Sequence, residues 1–163
     1  MTDKNLWVLL DGGLDGAVRS YAYMMGAEGI KNFLKAAAEV AYTHLHDAAL
    51  AEGLPPVRGA NPEEVMRNVS KMEASMGVMA ENNLEVTVTP DGLSLTHLGC
   101  PYASVCSDIL SDMTHSAKSQ SVYPCFRTET YMAAAAMETG SKGKYLLKQY
   151  APGERCTALV EFI

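Results

Sequence analysis

The chain has 163 residues, a length at which a single domain can bury a substantial hydrophobic core. Hydrophobic residues make up 48% of it and charged residues 20%, as in an ordinary globular protein, and the formal net charge is −6. A nucleic-acid surface or an anionic membrane surface requires clustered Lys and Arg, which this sequence lacks. We therefore expect neither nucleic acid nor membrane as a partner.

The first half of the chain has the hydrophobic spacing of helices. A period near 3.6 over residues 4–25, weakened by glycines, predicts one helix, and a stronger stripe over residues 27–52 predicts a second. A third helix is predicted over residues 61–79, because Asn61 is a favoured N-cap residue and Pro62 a favoured first residue.

After the third helix the hydrophobic period changes to two. Residues 84–98 predict a β-hairpin with the sequence Pro-Asp-Gly at its turn. Helical patterns return over residues 102–116 and 122–139, and residues 144–163 predict a second hairpin. The sequence therefore predicts a single α+β domain spanning all 163 residues, with N-terminal helices packed on an antiparallel sheet made of two hairpins separated by two helices.

Neither a membrane span nor a leader is predicted from the sequence. No stretch reaches the roughly 18 apolar residues of a span, and the opening MTDKNLWVLLDGG is too short for a signal peptide. We therefore expect a cytoplasmic protein. In a reducing cytosol the four cysteines would be thiols, thiolates or metal ligands rather than disulfides.

The four cysteines are the chief candidates for chemistry. Cys100 and Cys106 lie around a helix start at Pro101, Cys125 is at the head of the next predicted helix, and Cys156 lies on the last strand. A tetrahedral zinc site or an iron–sulfur cluster requires about four such ligands. The four thiols are thus a candidate metal site, and burial as small hydrophobic side chains explains them about as well.

A single reactive cysteine is a further alternative. Cys100 and Cys125 both stand where a helix N-terminus would stabilise a thiolate. Tyr102 or Glu129 would then transfer protons, and Arg127 would hold a substrate carboxylate. No Cys–His spacing in the sequence supports this alternative.

Other residues are candidates for contact with a small ligand. Met72 and Met76 belong to a methionine stripe on the third predicted helix, which is either core or the wall of a ligand cavity. His97 shares the inward face of its strand with two leucines, either as a core histidine or as a ligand-binding residue.

Three long stretches carry a pattern that extends over nearly the whole chain: SYAYMMGAEGIKNFLKAAAEVAYTHL, NPEEVMRNVSKMEASMGVMAENNLEVTV and VYPCFRTETYMAAAAMETGSKGKYLLKQYAPGERCTALVEFI. This pattern resembles the 4-vinyl reductase domain family of small-molecule-binding domains. Zinc-binding members of that family have cysteines at the places of Cys125 and Cys156. They also have a Glu and a Cys on the strand before the last, where this chain has a tyrosine and a lysine, so Cys100 or Cys106 would have to complete the site.

Shorter motifs carry a second resemblance. The sequence GCPY at residues 99–102, the later Cys125, and PGERC at residues 152–156 resemble the family that hydrolyses 2-aminothiazoline-4-carboxylate. This resemblance implies a hydrolase that opens a cyclic amidine or a related heterocycle. Cys100 or a metal-bound water would be the nucleophile, with Tyr102 beside it.

The favoured prediction is a domain that binds a small, largely apolar or aromatic molecule, braced in its C-terminal half by a zinc or iron–sulfur site. The hydrolase is the alternative, and a scaffold that pairs with another protein is a third class. The N-terminal helix has a narrow apolar stripe with three glycines, which suits close packing against a second copy. We therefore expect a homodimer.

Overall fold

The computed structural model describes residues 3–103, 106, 125–151 and 154–163. Much of the predicted helix over 102–116 and the first residues of the one over 122–139 lie outside these ranges. The described elements confirm the α+β class. In chain order they are α1 (Asp3–Ala51), α2 (Pro62–Ser75), β1 (Leu84–Thr89), β2 (Gly92–Leu98), α3 (Phe126–Thr139), β3 (Gly143–Ala151) and β4 (Arg155–Phe162).

The four strands form one antiparallel sheet in the order β1-β2-β4-β3. Each predicted hairpin is present, and the pairing of β2 with β4 joins the two hairpins. In this register His97 of β2 lies opposite Leu84 of β1 on one side and opposite Cys156 of β4 on the other. The sheet thus brings a residue from the first hairpin next to a cysteine from the second.

The helices predicted over residues 4–25 and 27–52 are instead one continuous helix of 49 residues, α1. Its glycines do not interrupt it, because none of them has a positive φ and the helix contains no proline. Each interior glycine costs only about 1 kcal/mol relative to alanine. The helix ends where Gly53 takes a φ of +83°.

Helix α2 begins where the third predicted helix was expected to begin, but it ends earlier than predicted. The Asn61 side chain accepts a hydrogen bond from the Glu64 backbone N–H at 3.0 Å, and the Glu64 carboxylate accepts one from the Ala60 N–H at 2.7 Å. These reciprocal bonds satisfy backbone donors at the helix start. The helix stops at Ser75 rather than at residue 79, because Gly77 has a φ of +68° that an α-helix cannot include.

The core lies between the helices and one face of the sheet. Every helix and three of the strands contribute to it. In β4, alternate residues are buried, as its period of two predicts. The cluster includes Tyr42, Ala49, Val65, Met66, Val69, Met72, Val86, Leu93, Leu95, Tyr131 and Val160.

No helix in the described ranges combines the length and the apolar character needed to cross a membrane. The long α1 is included in that finding from Asp3 onward.

Candidate functional site

A buried arginine, Arg127 in the first turn of α3, is the centre of the candidate site. Its side chain is only 2% exposed. The guanidinium donates to the Asn83 side-chain oxygen, to the Asn83 backbone oxygen at 3.2 Å and to the Leu98 backbone oxygen at 3.4 Å. Its Nε has no hydrogen-bond partner in the part of the chain that the structure describes. The site therefore contains a buried charged group whose Nε donor has no partner among the described residues.

Asn83 connects this arginine to the sheet. The residue before it, Asn82, has a left-handed φ of +58°, which turns the chain just ahead of β1. The Asn83 side-chain N–H donates to the Ala80 oxygen at 2.7 Å, and its backbone oxygen accepts from the Leu98 N–H at 2.9 Å. Arg127 thus holds the start of β1 against the end of β2.

Glu73, which is hydrogen-bonded to Tyr131, balances the charge of Arg127. The Tyr131 hydroxyl donates to the Glu73 carboxylate at 2.5 Å, and both side chains are buried. Burial raises the pKa of Glu73, although the Tyr131 bond and the positive charge of Arg127 act to lower it. Burial acts to lower the pKa of Arg127, but Tyr131 and Glu73 outweigh it, so the guanidinium remains charged. An acid and a cation are therefore held together away from water.

His97 lies behind this group, on β2. Its Nε2 is 2.9 Å from the Thr128 hydroxyl, and its ring centre is 5.7 Å from that of Tyr131. Burial, assisted by the charge of Arg127, lowers the pKa of His97 well below its usual value, so the ring is neutral at neutral pH. Its Nδ1 has no partner among the described residues. The inward orientation predicted for His97 is confirmed.

A cavity of about 140 Å³ adjoins Arg127 between α1, α2 and α3. The rings of Tyr102 and Phe126 meet edge to face in its wall, with centres 5.1 Å apart. Apart from the two charged side chains, the lining is mainly apolar. An apolar cavity of about 150 Å³ accommodates benzene, so this space suits a single ring. It is lined by Ala41, Leu45, Glu73, Val78, Met79, Tyr102, Phe126, Arg127 and Thr130.

Cys125 occupies the N-cap position of α3, in agreement with its predicted place at the head of a helix. Its sulfur accepts a hydrogen bond from the Thr128 N–H, with Sγ and N 3.4 Å apart. Its own N–H donates to the Tyr145 hydroxyl at 2.8 Å. Burial raises the pKa of the Cys125 thiol, while the bonds from Thr128 and the charge of Arg127 lower it.

Other cysteines affect the pKa values of Cys100 and Cys156. Burial is the main cause that raises the pKa of Cys100 to about 11, and Cys125 and Cys156 raise it further. Burial also raises the pKa of Cys156, and Cys125 adds to that rise. These effects link thiols from three separate parts of the chain. The half-buried Cys106 donates its N–H to the Tyr102 oxygen at 3.0 Å.

These electrostatic effects do not amount to a metal centre. Within the described ranges, no three His, Cys, Asp or Glu side chains are placed to hold one metal ion. Zn–S bonds are about 2.3 Å long, so the sulfurs would have to approach one another before zinc could bind. The zinc or iron–sulfur site at Cys100, Cys106, Cys125 and Cys156 stays a prediction.

The remaining residues predicted for the site are divided between the cavity and the core. Tyr102 and Arg127 line the cavity. Met72 is part of the hydrophobic core and Met76 packs against it, whereas Met79 of the same stripe lines the cavity. Met72 and Met76 are therefore not among the residues that line this cavity, and their contact with a ligand stays a prediction.

The sequence reasoning missed Glu73, Asn83 and Tyr131. Glu73 follows Met72 directly and is buried beside the apolar stripe of α2, which is an unusual place for an unpaired acid. Asn83 is the second residue of an Asn-Asn pair, a sequence that favours a left-handed turn. The position of Glu73 in α2 and the Asn-Asn pair can both be seen in the sequence. Neither of them indicates that these residues surround Arg127.

Comparison with known proteins identifies no family for this chain. A scan against protein-family models found no match, and a search of curated proteins found none either. The resemblances to the 4-vinyl reductase domain family and to the 2-aminothiazoline-4-carboxylate hydrolase family stay predictions.

Proposed function

We propose that the protein binds a small, largely apolar or aromatic molecule of about one ring in the cavity beside Arg127. The cavity itself carries the proposal: about 140 Å³ of space with apolar walls and a buried guanidinium at its edge. Ligand sites of this kind combine hydrophobic walls with a few polar groups that fix orientation. The resemblance to 4-vinyl reductase domains predicts the same class of ligand.

Two polar groups would orient the ligand. The Arg127 side chain lines the cavity and would present guanidinium N–H donors, and the Glu73 carboxylate, which also lines it, would present an acceptor. Because these groups already compensate each other's charge, a neutral ring with one hydroxyl or carbonyl suits the site better than a strong anion. A phenol-like compound meets both requirements.

Binding is better supported than hydrolysis by a cysteine. The pKa of the Cys100 thiol is raised to about 11, so very little thiolate exists at neutral pH. His97 is engaged with Thr128 through Nε2, and its Nδ1 has no partner among the described residues, so neither nitrogen is bonded to a described thiol. Hydrolysis that opens the ring of a cyclic amidine remains the alternative function. Detection of the ring-opened product after incubation with such a compound would favour it.

The ligand prediction is tested by filling the cavity. Titration with phenol, followed by calorimetry or by NMR shifts, is expected to show one saturable site. Met79→Trp should abolish it, because the larger side chain occupies the space that Met79 borders. Met137→Trp is the matched control, since Met137 is 56% exposed and lies outside this cavity. Equal binding by both variants would refute the proposal.

We also propose that Cys100, Cys125 and Cys156 bind a metal when they approach one another. Thiols must lose their protons to act as ligands, so binding should release protons and weaken as pH falls. Metal analysis and the visible spectrum of anaerobically purified protein test this proposal, with serine variants at the three positions. Metal content that is absent, or unchanged in all three variants, would contradict it.

We further propose a homodimer through α1. This helix of 49 residues is about 73 Å long, and Leu34 is the first of its described side chains to be buried. The preceding part has Leu10 and Leu14 on one stripe in the sequence. We expect a dimer in sedimentation equilibrium at micromolar concentration and a monomer after Leu10→Lys with Leu14→Lys. A wild-type monomer would contradict the proposal.

A further inference from the structure

A groove of about 450 Å³ lies between α1, α3 and the start of β3. Its α3 residues occupy a different face of that helix from the residues that line the cavity beside Arg127. Four of the chain's 13 lysine and arginine residues line it, although the chain as a whole has a net charge of −6. They are Lys31, Lys35, Lys142 and Lys144.

The lysines exceed the carboxylates that face them. Glu39 and Glu129 also line the groove. Glu129 is 5% exposed, and burial raises its pKa despite the opposing charges of Lys31 and Lys35. Lys144 forms an exposed ion pair at 3.0 Å with Glu161, a residue that is not part of the groove lining. An excess of positive charge therefore surrounds this end of the groove.

The groove continues into an apolar space of about 320 Å³ along the contact between α1 and α3. The two spaces share Glu39, Ala133 and Ala136. At the far end stand Val40 and Met137, which are 57% and 56% exposed. Together the two spaces form a trough with amines at one end and exposed apolar side chains at the other.

The length of the trough follows from helix geometry. Glu129 lies at the end near the lysines and Met137 lies at the apolar end, eight residues further along α3. A rise of 1.5 Å per residue places them about 12 Å apart. A straight alkyl chain of medium length spans such a distance, and its burial against Ala133, Ala136 and Met137 would remove apolar surface from water.

We propose that this trough binds an anionic amphiphile, a medium-chain carboxylate such as octanoate. The carboxylate lies among the four lysines, and the alkyl chain follows the α1–α3 contact toward Val40 and Met137. The charge of the lysines selects the head group, and the exposed apolar side chains select the tail. This site is separate from the cavity proposed above for a ring compound and does not depend on it.

Calorimetric titration with three probes tests this site. Octanoate is expected to bind saturably, octanol more weakly because it lacks the charge, and acetate not measurably because it lacks the chain. The octanoate affinity should fall at high salt, since the Debye length shortens to about 3 Å at 1 M. The double variant Lys31→Gln, Lys35→Gln should lower the affinity for octanoate about tenfold, since each charge removed costs a few-fold in affinity. The affinity for octanol should not change.

Lys148→Gln is the matched control, because this exposed lysine lies on β3 outside the trough. Met137→Ser should weaken octanoate and octanol alike, which separates the tail contact from the head contact. Equal affinity for octanoate and octanol would overturn the proposal. So would a loss in the Lys148 variant as large as that in the Lys31 and Lys35 variant, or a failure of octanoate to saturate because a second copy of the chain covers the trough.

Discussion

Arg127→Met is expected to lower the free energy of unfolding by about 3–5 kcal/mol. This is the usual cost of removing one of two opposite charges that are buried together, because the other is left uncompensated. The substitution keeps most of the side-chain volume and removes every donor. The Asn83 side chain and the backbone oxygens of Asn83 and Leu98 would lose their buried partner. Glu73 would lose the positive charge that helps to keep it ionised.

Urea unfolding followed by circular dichroism measures this loss. Arg155→Met is the control, because Arg155 pairs with Glu85 at 2.9 Å where both side chains are about half exposed. Such surface pairs are worth about 1 kcal/mol or less. If the two substitutions cost the same, Arg127 is not the connection between α3 and the sheet that its contacts indicate.

A second substitution keeps the prediction testable if Arg127→Met alone fails to fold. Glu73→Gln added to Arg127→Met should restore part of the lost stability, since a neutral amide no longer leaves an uncompensated charge in the core. The glutamine can still accept the hydrogen bond from Tyr131 that the carboxylate accepts. No recovery in the double variant would show that the Glu73 charge is not what Arg127 balances.

The features that the sequence predicted correctly are those that depend on neighbours along the chain. The N-cap at Asn61 depends on Glu64, three residues later. The hairpin turn depends on Gly92, and the inward face of β2 on the alternation that ends at His97. In each case the physical cause lies within a few residues, so a local pattern is sufficient to reveal it.

The candidate site depends on contacts between distant residues; the sequence predicted Arg127 and Tyr102 as single candidates but not the contacts around them. Arg127 reaches Asn83 across 44 positions, and Tyr131 reaches Glu73 across 58. The sequence predicts that Arg127 binds a substrate carboxylate, but the structure shows its guanidinium engaged mainly with oxygens of Asn83 and Leu98. Hydrophobic periods do not encode which loop a buried cation will bind.

The single long α1 has a related explanation. Glycines at 12, 13 and 16 weaken the apolar pattern over residues 4–25, and the sequence predicts two helices where the structure has one. No Cβ at these three positions would meet another described atom within 4 Å. The glycines therefore reduce local helix propensity without marking a turn, and a pattern that only counts apolar residues cannot distinguish the two cases.

Gly92 is the position where a single methyl group is expected to do the most damage to the sheet. It begins β2 with a φ of +142°, a conformation that other residues rarely adopt. A Cβ at this position would overlap the backbone carbonyl oxygen of Val160 on β4. This close approach helps to fix the register between β2 and β4, which places His97 opposite Cys156. In that position His97 contacts Thr128 of α3.

Gly92→Ala is therefore expected to lower the free energy of unfolding by about 3 kcal/mol or more, because backbone strain of about 1–3 kcal/mol adds to the overlap with Val160. Gly140→Ala is the matched control: Gly140 has a φ of +71°, but a Cβ there would meet nothing within 4 Å. We expect it to cost only the strain of a left-handed residue, about 1–2 kcal/mol.

Urea unfolding of both variants measures the difference, and amide hydrogen exchange along β2 and β4 locates it. The excess cost at Gly92 comes from backbone atoms of another strand, which cannot move away without breaking the β2–β4 pairing. Equal losses in the two variants would show that the strands separate easily, and that the pairing does not fix His97 beside the candidate site.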